Sequence, residues 1–387
     1  RKIKSLYPST IAGYNIKRQF YCSIRKDIFI MERLRVGIVG LGGMGNVHSD
    51  SWRENPRADI IAMCDIKPEK CDEYIKRTHI EDQGIKVYVD YKEMIEKEQL
   101  DVVDIATPND MHSVIAVYAL EHGINVFCEK PDAINAAEQK KMKDASEKNG
   151  KLLMCMRNNR YYPNSQFLKK YIADGKCGEI YCGRCGWIRR RGIPGKGGWF
   201  TTKARSGGGP LIDLGVHMID LSIWLMGNPT PVAVSGCTYT KFANDEAESD
   251  SEHSKFGEAV ADGTFDVEDL AMGFIRFDNG SCLQFEFSWA SNIEEEKRFV
   301  ELRGTKAGFT WGDDGSVKIF GEEEGQLVDE KPELPEMGNG HDRAIRHFSE
   351  ILLDGRAPDY VPQQGLDMIK ILDGIYESAR TGKEVLL

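Results

Sequence analysis

The sequence lacks a long hydrophobic run, an excess of basic residues and a dense set of cysteines. Charged residues interrupt every apolar stretch well before the ~20 residues that a membrane helix needs, so we expect no membrane span. The 51 Lys and Arg are outnumbered by 61 Asp and Glu, and the net charge of −10 argues against nucleic acid as a partner. Ten cysteines in 387 residues indicate reduced thiols and a cytoplasmic location rather than a disulfide framework.

The length points to two domains, because single hydrophobic cores stop growing at ~250–300 residues. The composition, 41% hydrophobic and 29% charged, is typical of a folded globular protein. Residues 1–30 differ from the rest: they carry seven Lys or Arg and the single acid Asp27, without the apolar core of a signal peptide. We interpret them as a basic extension that is disordered or lies upstream of a natural start at Met31. A basic interaction arm is the alternative.

Residues 31–155 alternate between strand-like and helix-like patterns. Apolar strand-like runs are found at 35–40, 60–64, 102–106, 125–128 and 152–156, with helical patterns after Gly45 and at 68–78, 91–98, 112–122 and 135–149. Strands that alternate with helices pair in parallel through crossovers, so this region predicts a doubly wound parallel sheet of the Rossmann type.

Residues 156–387 predict a different architecture, an α+β domain with a large, mostly antiparallel sheet. Strand-like runs at 179–189, 232–240, 270–277, 281–290, 298–304 and 307–310 are separated by turn signals such as Asp278-Asn279-Gly280, and helical patterns lie at 166–174, 211–226, 340–353 and 363–381. Residues 242–269 interrupt the strands with ten acids and one Lys. We interpret this segment as a solvated loop, with an active-site flap as the alternative.

A glycine-rich turn after the first strand predicts a dinucleotide site. It reads Gly40-Leu41-Gly42-Gly43-Met44-Gly45, a GxGxxG motif. Gly40 permits the tight turn, Gly42 allows close approach of a pyrophosphate, and Gly45 allows the helix to pack on the sheet. Asp65, at the end of the next strand, would bind the ribose 2′-hydroxyl and repel a 2′-phosphate, which favours NAD(H). Lys67 weakens that exclusion and leaves NADP(H) open.

Two more segments follow strands of the same sheet, where ligands bind in open α/β folds. The first supplies the candidate cofactor ligands Thr107, Asn109 and His112, and the second is Glu129-Lys130-Pro131. A lysine beside a nicotinamide can orient or help to deprotonate an alcohol. A solvated surface lysine is the alternative for Lys130.

Asp213 and His217 lie four residues apart in a predicted helix that follows a glycine-rich loop. That spacing places both on one helix face. His217 is the residue type best suited to take a hydroxyl proton at neutral pH, and Asp213 would steady its charged form. The alternatives are a surface ion pair or half of a metal site, although hydride transfer needs no metal and the sequence places no third ligand.

Two other clusters have a structural and a functional interpretation. Cys177, Cys182 and Cys185 resemble an iron–sulfur spacing, but the last two lie in a strand-like run, where residues three apart point to opposite faces. We therefore predict no cluster there. Arg189-Arg190-Arg191 suits a carboxylate or phosphate of a substrate, and a basic loop rim is the alternative that we favour.

Taken together, these motifs resemble those of the glucose-fructose oxidoreductase, inositol dehydrogenase and rhizopine-catabolism (Gfo/Idh/MocA) family, from about Leu34 to the C-terminus. The segment Asn158-Asn159-Arg160-Tyr161-Tyr162 is similar to that family's entry into the substrate domain, and Val267-Glu268-Asp269 to its return into the large sheet. The resemblance implies that Lys130, Asp213 and His217 line the substrate pocket, with Arg160 and Tyr161 as further substrate ligands.

The resemblance also implies a reaction: hydride transfer between a nicotinamide and a secondary hydroxyl of a sugar, cyclitol or glycoside. His217 would accept the hydroxyl proton, Lys130 would hydrogen-bond the same oxygen, and Asp213 would orient His217 or a neighbouring hydroxyl. Relatives of this kind pair through the open face of the C-terminal sheet, so we expect a homo-oligomer. The alternatives are a glycosidase or glycoside 3-oxidase that uses transient oxidation, and a non-catalytic nicotinamide sensor.

Overall fold

The computed structural model describes residues 33–243 and 257–387. The expectations for residues 1–30 and for residues 244–256 of the acidic segment lie outside this part of the chain. The described residues form two β-sheets, one of six strands and one of nine.

The six-stranded sheet occupies the first third of the chain. Its elements are β1 (Leu34–Val39), α1 (Gly43–Arg53), β2 (Ala58–Cys64), α2 (Glu69–Thr78), β3 (Lys86–Tyr88), α3 (Tyr91–Lys97), β4 (Val102–Ile105), α4 (His112–Glu121), β5 (Asn125–Cys128), α5 (Ala136–Asn149) and β6 (Leu153–Cys155). The strand order is β3-β2-β1-β4-β5-β6, and all pairs are parallel. The predicted doubly wound sheet is confirmed.

This topology follows from apolar runs that are buried on both faces. Val36 and Ile38 of β1 and Val102 and Val103 of β4 have no exposed surface, as expected for central strands covered by helices on either side. The strand order reverses between β1 and β4. In open α/β sheets the crevice beyond the carboxyl ends of such strands binds ligands.

The nine-stranded sheet and its helices follow. They are α6 (Pro163–Ala173), β7 (Ile180–Ile188), α7 (Lys203–Ser206), α8 (Val216–Leu225), β8 (Pro231–Tyr239), β9 (Leu270–Phe277), β10 (Cys282–Ser288), β11 (Lys297–Gly304), β12 (Gly308–Gly312), β13 (Val317–Glu323), β14 (Gln326–Glu330), α9 (Gly340–Asp354), α10 (Pro362–Thr381) and β15 (Val385–Leu386). The order is β14-β13-β12-β11-β7-β10-β9-β8-β15. Neighbouring strands are antiparallel except for β7 and β10, which run parallel, so the predicted mostly antiparallel sheet is confirmed.

Four strands, the short helix α7 and one helix start differ from the sequence-based expectation. Strands β3 and β15 have three residues or fewer, β14 is an exposed, acidic edge, and β13 has only a short alternating pattern in which Val317 and Ile319 are buried. The helix predicted at 211–226 begins instead with one π-helical turn, Leu211–Gly215, before α8.

The nine-stranded sheet is covered on one face. A second hydrophobic core lies between the sheet and helices α8 and α10, and contains Phe285, Phe287, Leu221 and Ile375. The opposite face carries half-exposed residues such as Phe274 and Phe299. Within the described residues, no helix is both long and apolar enough to cross a membrane.

Candidate active site

The glycine-rich turn connects β1 to α1 at the reversal point of the first sheet. Gly40 has a φ of 94°, and a Cβ there would lie 2.6 Å from the Ala106 carbonyl oxygen. A Cβ on Gly45 would lie 1.9 Å from the Gly40 carbonyl oxygen. Both positions therefore require glycine, one for its backbone conformation and both for close packing.

The start of α1 fits the pyrophosphate of a dinucleotide. Gly42 is its N-cap and no side chain caps the first turn, so backbone N–H groups remain for an anion. A Cβ on Gly42 or Gly43 would meet nothing within 4 Å, which leaves room for a ligand. A cavity of about 320 Å³ adjoins this turn and is lined by residues that include Lys70 and Arg77.

Asp65 lies beside the same turn, as the ribose assignment requires. Its Oδ2 accepts a hydrogen bond from the Leu41 N–H at 2.8 Å, and its Oδ1 accepts from the Lys67 N–H at 2.9 Å. The carboxylate is half-exposed. It is thus held next to the glycine-rich turn while part of it remains open to a ligand.

The residues after β4 connect different segments of the chain. Asn109 is buried and donates from Nδ2 to the Ser206 carbonyl oxygen at 2.8 Å. The His112 ring lies 2.8 Å from the Pro131 carbonyl oxygen and 3.0 Å from that of Thr107, so it joins the two strand-end loops. Burial lowers the pKa of His112. Its ring nitrogens serve these loops, which makes it a support of the site instead of a direct cofactor ligand.

A group of buried charged side chains lies next to the Glu129-Lys130-Pro131 segment and includes Glu129 itself. His48 of α1 lies 2.8 Å from Oδ1 of Asp104 and 3.0 Å from Oε1 of Glu129, and Trp52 donates to Asp104. Burial alone would lower the pKa of His48, but the two carboxylates raise it to about 10. Burial likewise opposes ionisation of Glu129, yet its hydrogen bond to His48 lowers its pKa to about 2. His48 is therefore a buried imidazolium between two carboxylates.

The structure brings Lys130 and Asp213 together. Lys130 Nζ donates to Asp213 Oδ1 at 2.7 Å and to the Asp213 carbonyl oxygen at 3.2 Å, and Glu129 Oε2 accepts from the Lys130 N–H. Trp289, at the end of β10, donates from its indole N–H to Asp213 Oδ2 at 3.0 Å. The side chains of Lys130 and Asp213 are 17% and 14% exposed, so Lys130 is not a solvated surface lysine.

The expected pairing of Asp213 with His217 is not what the structure shows. In the described residues both carboxylate oxygens of Asp213 are occupied by Lys130 and Trp289, and no hydrogen bond connects Asp213 to the His217 ring. The reason is competition for the carboxylate: the Lys130 ammonium and the Trp289 indole N–H take its two oxygens, and His217 gives Asp213 no hydrogen bond. Asp213 therefore orients Lys130.

His217 is half-buried on α8, with its ring centroid 5.9 Å from that of Trp187. Burial lowers the pKa of His217 well below 6.5, and the nearby cations Lys130 and Arg298 lower it further. At neutral pH the ring is thus uncharged and has a nitrogen lone pair free to accept a proton. The environment thus keeps His217 in its neutral form and does not stabilise its charged form, which differs from the expectation that Asp213 would steady the charge.

Arg160 and Tyr161 are placed differently from the expected substrate ligands. The Arg160 guanidinium is 1% exposed and donates to both oxygens of Asp220 at 2.8 and 2.6 Å. Arg157 donates to the same carboxylate at 2.9 Å. Tyr161 is 6% exposed and packs against His347. Because these side chains are enclosed by protein, both act as structural supports, and Arg160 fixes α8 through Asp220.

Glu268 fixes the backbone segment that leads into the π-helical turn. Its buried carboxylate accepts from the N–H groups of Gly209 and Leu211 at 3.0 and 3.1 Å, and from the Tyr376 hydroxyl at 3.0 Å. A Cβ on Gly209 would lie 1.9 Å from the Glu268 carbonyl oxygen. The glycine-rich loop thus lets two backbone segments touch, and this contact places Asp213.

The structure also shows how buried the cysteine and arginine clusters are. Cys177 and Cys185 are buried, whereas Cys182 is partly exposed. Among the described residues no group of three or more His, Cys, Asp or Glu side chains is arranged to hold a metal ion. Arg190 is exposed, as expected for a loop rim, but Arg189 is only 5% exposed.

Several residues of the site were not singled out from the sequence. They are His48, Asp104, Trp187, Trp289 and Arg298. For His48 there was a usable signal, since it follows Gly45 by three residues and therefore lies in the first turns of the helix that opens the dinucleotide site. The others come from strand patterns in which each is an ordinary apolar or charged member.

A doubly wound sheet with a glycine-rich anion site, joined to a domain that supplies a Lys–Asp pair and a neutral histidine, defines a nicotinamide-dependent oxidoreductase. Models of two domains match this chain: "Oxidoreductase family, NAD-binding Rossmann fold" over residues 34–156 and "Oxidoreductase family, C-terminal alpha/beta domain" over residues 169–387. The chain belongs to this Gfo/Idh/MocA oxidoreductase family. It is an NAD-binding dehydrogenase, as the sequence predicts.

Individual proteins resemble it over most of their length. The D-glucoside 3-dehydrogenase of Escherichia coli (strain K12) is 31% identical over 94% of this chain and 100% of its own. The levoglucosan dehydrogenase of Pseudarthrobacter phenanthrenivorans is 30% identical over 71% of this chain and 73% of its own. A solved structure of levoglucosan dehydrogenase in complex with NADH has a TM-score of 0.79 at 25% identity and covers 92% of this chain and 99% of that one.

Proposed function

We propose that this protein oxidises a secondary hydroxyl of a sugar, cyclitol or glycoside and passes the hydride to NAD⁺. The similar proteins named for sugar oxidation, D-glucoside 3-dehydrogenase and levoglucosan dehydrogenase, support this substrate class. The observation that carries the proposal is the pairing of Lys130 with Asp213 next to a neutral His217.

Each of the three side chains has one role in this reaction. The unprotonated ring nitrogen of His217 accepts the hydroxyl proton. Lys130 Nζ donates a hydrogen bond to the same oxygen and favours the alkoxide that develops there. Asp213 does not touch the reacting atoms in this account but holds Lys130 in place. The nicotinamide, when bound, supplies the hydride acceptor.

We assign the cofactor to the first domain, residues 31–155, and the substrate to residues 156–387. The pyrophosphate would lie on the Gly42–Gly45 turn and the ribose against Asp65, with Gly43 and Met44 in the same turn. We also assign Thr107 and Glu129 to the cofactor site, because they follow β4 and β5 at the same edge of the sheet as this turn. We propose NAD(H) as the working cofactor because Asp65 presents a carboxylate where NADP(H) carries a phosphate.

The test is a screen of purified protein with NAD⁺ over inositols, hexoses and glucosides, read as absorbance of the reduced cofactor. Stoichiometric NADH from one class supports the proposal. Release of an aglycone without net NADH would favour a glycosidase that oxidises C3 transiently, a chemistry that shares its first step with a glucoside 3-dehydrogenase. NADH binding with neither outcome would favour a sensor and contradict the proposal.

We also propose a homo-oligomer formed through the open face of the nine-stranded sheet. Phe274 and Phe299 on that face are covered by no helix of the described chain, and each lies under an arginine guanidinium, at 5.1 and 5.8 Å respectively. A reducing compartment such as the cytoplasm fits the nine cysteines of the described residues, all of which are free thiols.

A further inference from the structure

Arg189 is a buried guanidinium without an anionic partner in contact. It is 5% exposed, and its one side-chain hydrogen bond within the described residues is from Nη1 to the Gly192 carbonyl oxygen at 3.3 Å. Its Nε is buried and unpaired. Leaving a buried charge unpaired is costly, so natural proteins keep such a group mainly where it has a function.

The neighbouring carboxylates do not fill this gap. Asp213 is close enough to act on Arg189 electrostatically, but both of its oxygens are bound by Lys130 and Trp289. Glu296 also acts at a distance, and its Oε1 accepts from the Arg190 N–H. No carboxylate of the described chain lies within 4.0 Å of the Arg189 guanidinium.

Arg189 faces the same space as His217. It follows Trp187 by two residues at the end of β7, so both side chains emerge on the helix-covered face of the sheet. The Arg189 guanidinium lies 4.9 Å from the centre of the Trp187 ring, and that ring lies 5.9 Å from the His217 ring. Arg298 stacks on Trp187 as well, at 4.1 Å, and donates to Asp313 at 2.5 Å.

We propose that the substrate carries an anionic group, a carboxylate or a phosphate, and that Arg189 binds it. The inference rests on the proposed function and narrows its substrate class from sugars to sugar acids or sugar phosphates. The Trp187 ring lies 5.9 Å from the His217 ring and 4.9 Å from the Arg189 guanidinium, so one sugar-sized ligand can place its reacting hydroxyl at His217 and its anion at Arg189.

The experiment compares matched substrates and matched variants. Glucose, glucuronate and glucose 6-phosphate, with their methyl glycosides, are assayed with NAD⁺ for the wild type, Arg189→Met and Arg190→Met. We expect kcat/KM to be highest for one charged member and Arg189→Met to lower that value about 10- to 100-fold, the range for a hydrogen bond to a charged group. For the neutral parent, kcat/KM should fall by a smaller factor than for the charged member, and the exposed neighbour Arg190 serves as the control.

Two further readouts make the result independent of turnover. Calorimetry in the presence of NADH should show tighter binding of glucuronate or glucose 6-phosphate than of glucose, and Arg189→Met should remove the difference. The same variant should melt at an equal or higher temperature than the wild type, because it removes an uncompensated buried charge.

The outcomes separate the two proposals. Equal binding of charged and neutral sugars, or a loss in Arg189→Met that is the same for both, overturns the anionic substrate and leaves the dehydrogenase proposal intact. A lower melting temperature with unchanged charge preference assigns Arg189 to structure and also overturns it. Tight, Arg189-dependent binding of a charged sugar without NADH formation supports the anion site and contradicts the proposed oxidation.

Discussion

At the scale of single residues, Asp213 has a role that separates it from His217. Its carboxylate holds Lys130 Nζ and the Trp289 indole, so Asp213→Asn should leave a weaker acceptor and a less ordered lysine. We expect kcat to fall about 10- to 100-fold with little change in the KM for NAD⁺. The kcat of Lys130→Met should fall further, because this change removes the group that we propose to hydrogen-bond the reacting oxygen.

Steady-state kinetics of both variants check this assignment. If Asp213 acted through His217 as the sequence suggested, Asp213→Asn would also move the acidic limb of the pH–rate profile. An unchanged limb together with a lower kcat supports the Lys130 assignment. Wild-type turnover in Lys130→Met would contradict the active site itself.

The neutral state of His217 predicts the pH dependence of activity. Burial, then Lys130, then Arg298 lower its pKa well below 6.5, so the base is fully unprotonated at neutral pH. Activity that depends on the free base is lost as the pH falls through that lowered pKa. We therefore expect kcat/KM to stay level from neutral pH down to below 6.5 before it declines, and a pH–rate profile measures this.

A variant of Lys130 tests why the pKa of His217 is lowered. Lys130→Met removes the largest electrostatic contribution to the shift, so the His217 pKa in that protein should rise toward its ordinary value. NMR titration of the His217 ring in the wild type and the variant measures this pKa and does not depend on enzymatic activity. A pKa that is equal in both proteins would exclude Lys130 as a neighbour of the base.

At the scale of elements, His48 joins α1 to the ends of β4 and β5. Removing one member of a buried charge group leaves the others uncompensated, so His48→Ala should lower the free energy of unfolding by about 3–5 kcal/mol at pH 6. Chemical denaturation measures this. His122→Ala, which alters an exposed histidine at the end of α4, is the control and should change stability by less than about 0.5 kcal/mol.

The pH dependence of this loss of stability follows from the shifted pKa values of His48 and Glu129. The raised pKa of His48, about 10, means that its contribution is complete below 6.5 and is lost as the pH rises from there through 10. The lowered pKa of Glu129, about 2, means that its contribution is complete above 4.5 and is lost as the pH falls toward 2. The difference between wild type and His48→Ala should thus be largest between those windows and shrink in alkali. A difference that grows with pH would contradict a charged His48.

The elements also show where sequence reasoning succeeds. The strands β1, β2, β4 and β5 were predictable because each is a mostly apolar run that is largely buried between helices, and the glycine turn because its spacing has a single physical use. Strand β14 was not, since an exposed edge needs no hydrophobic pattern. The π-helical turn at Leu211–Gly215 was not either, since α and π turns share the same residue types.

At the scale of the whole molecule, the site depends on contacts that spacing along the chain does not reveal. Lys130 and Asp213 are 83 residues apart, so their spacing marks each as a separate candidate, and only the family resemblance placed them in one pocket. Their direct ion pair required the two domains to be assembled. The same holds for Arg160, whose partner Asp220 is 60 residues away. This ion pair makes Arg160 a structural support, whereas the sequence suggested a substrate ligand.

The open face of the nine-stranded sheet predicts which surface forms the homo-oligomer that we propose. It carries Phe274 and Phe299, and a stable homodimer needs to bury about 800 Å² on each partner. Replacing both phenylalanines by Glu places four negative charges in a two-fold interface. Light scattering should then show a loss of the oligomer, with circular dichroism unchanged. Val114→Glu, on the distant helix α4, is the control and should leave the mass unaltered. If the double variant keeps the wild-type mass, the protein associates through another surface, and the open face does not form the homo-oligomer interface.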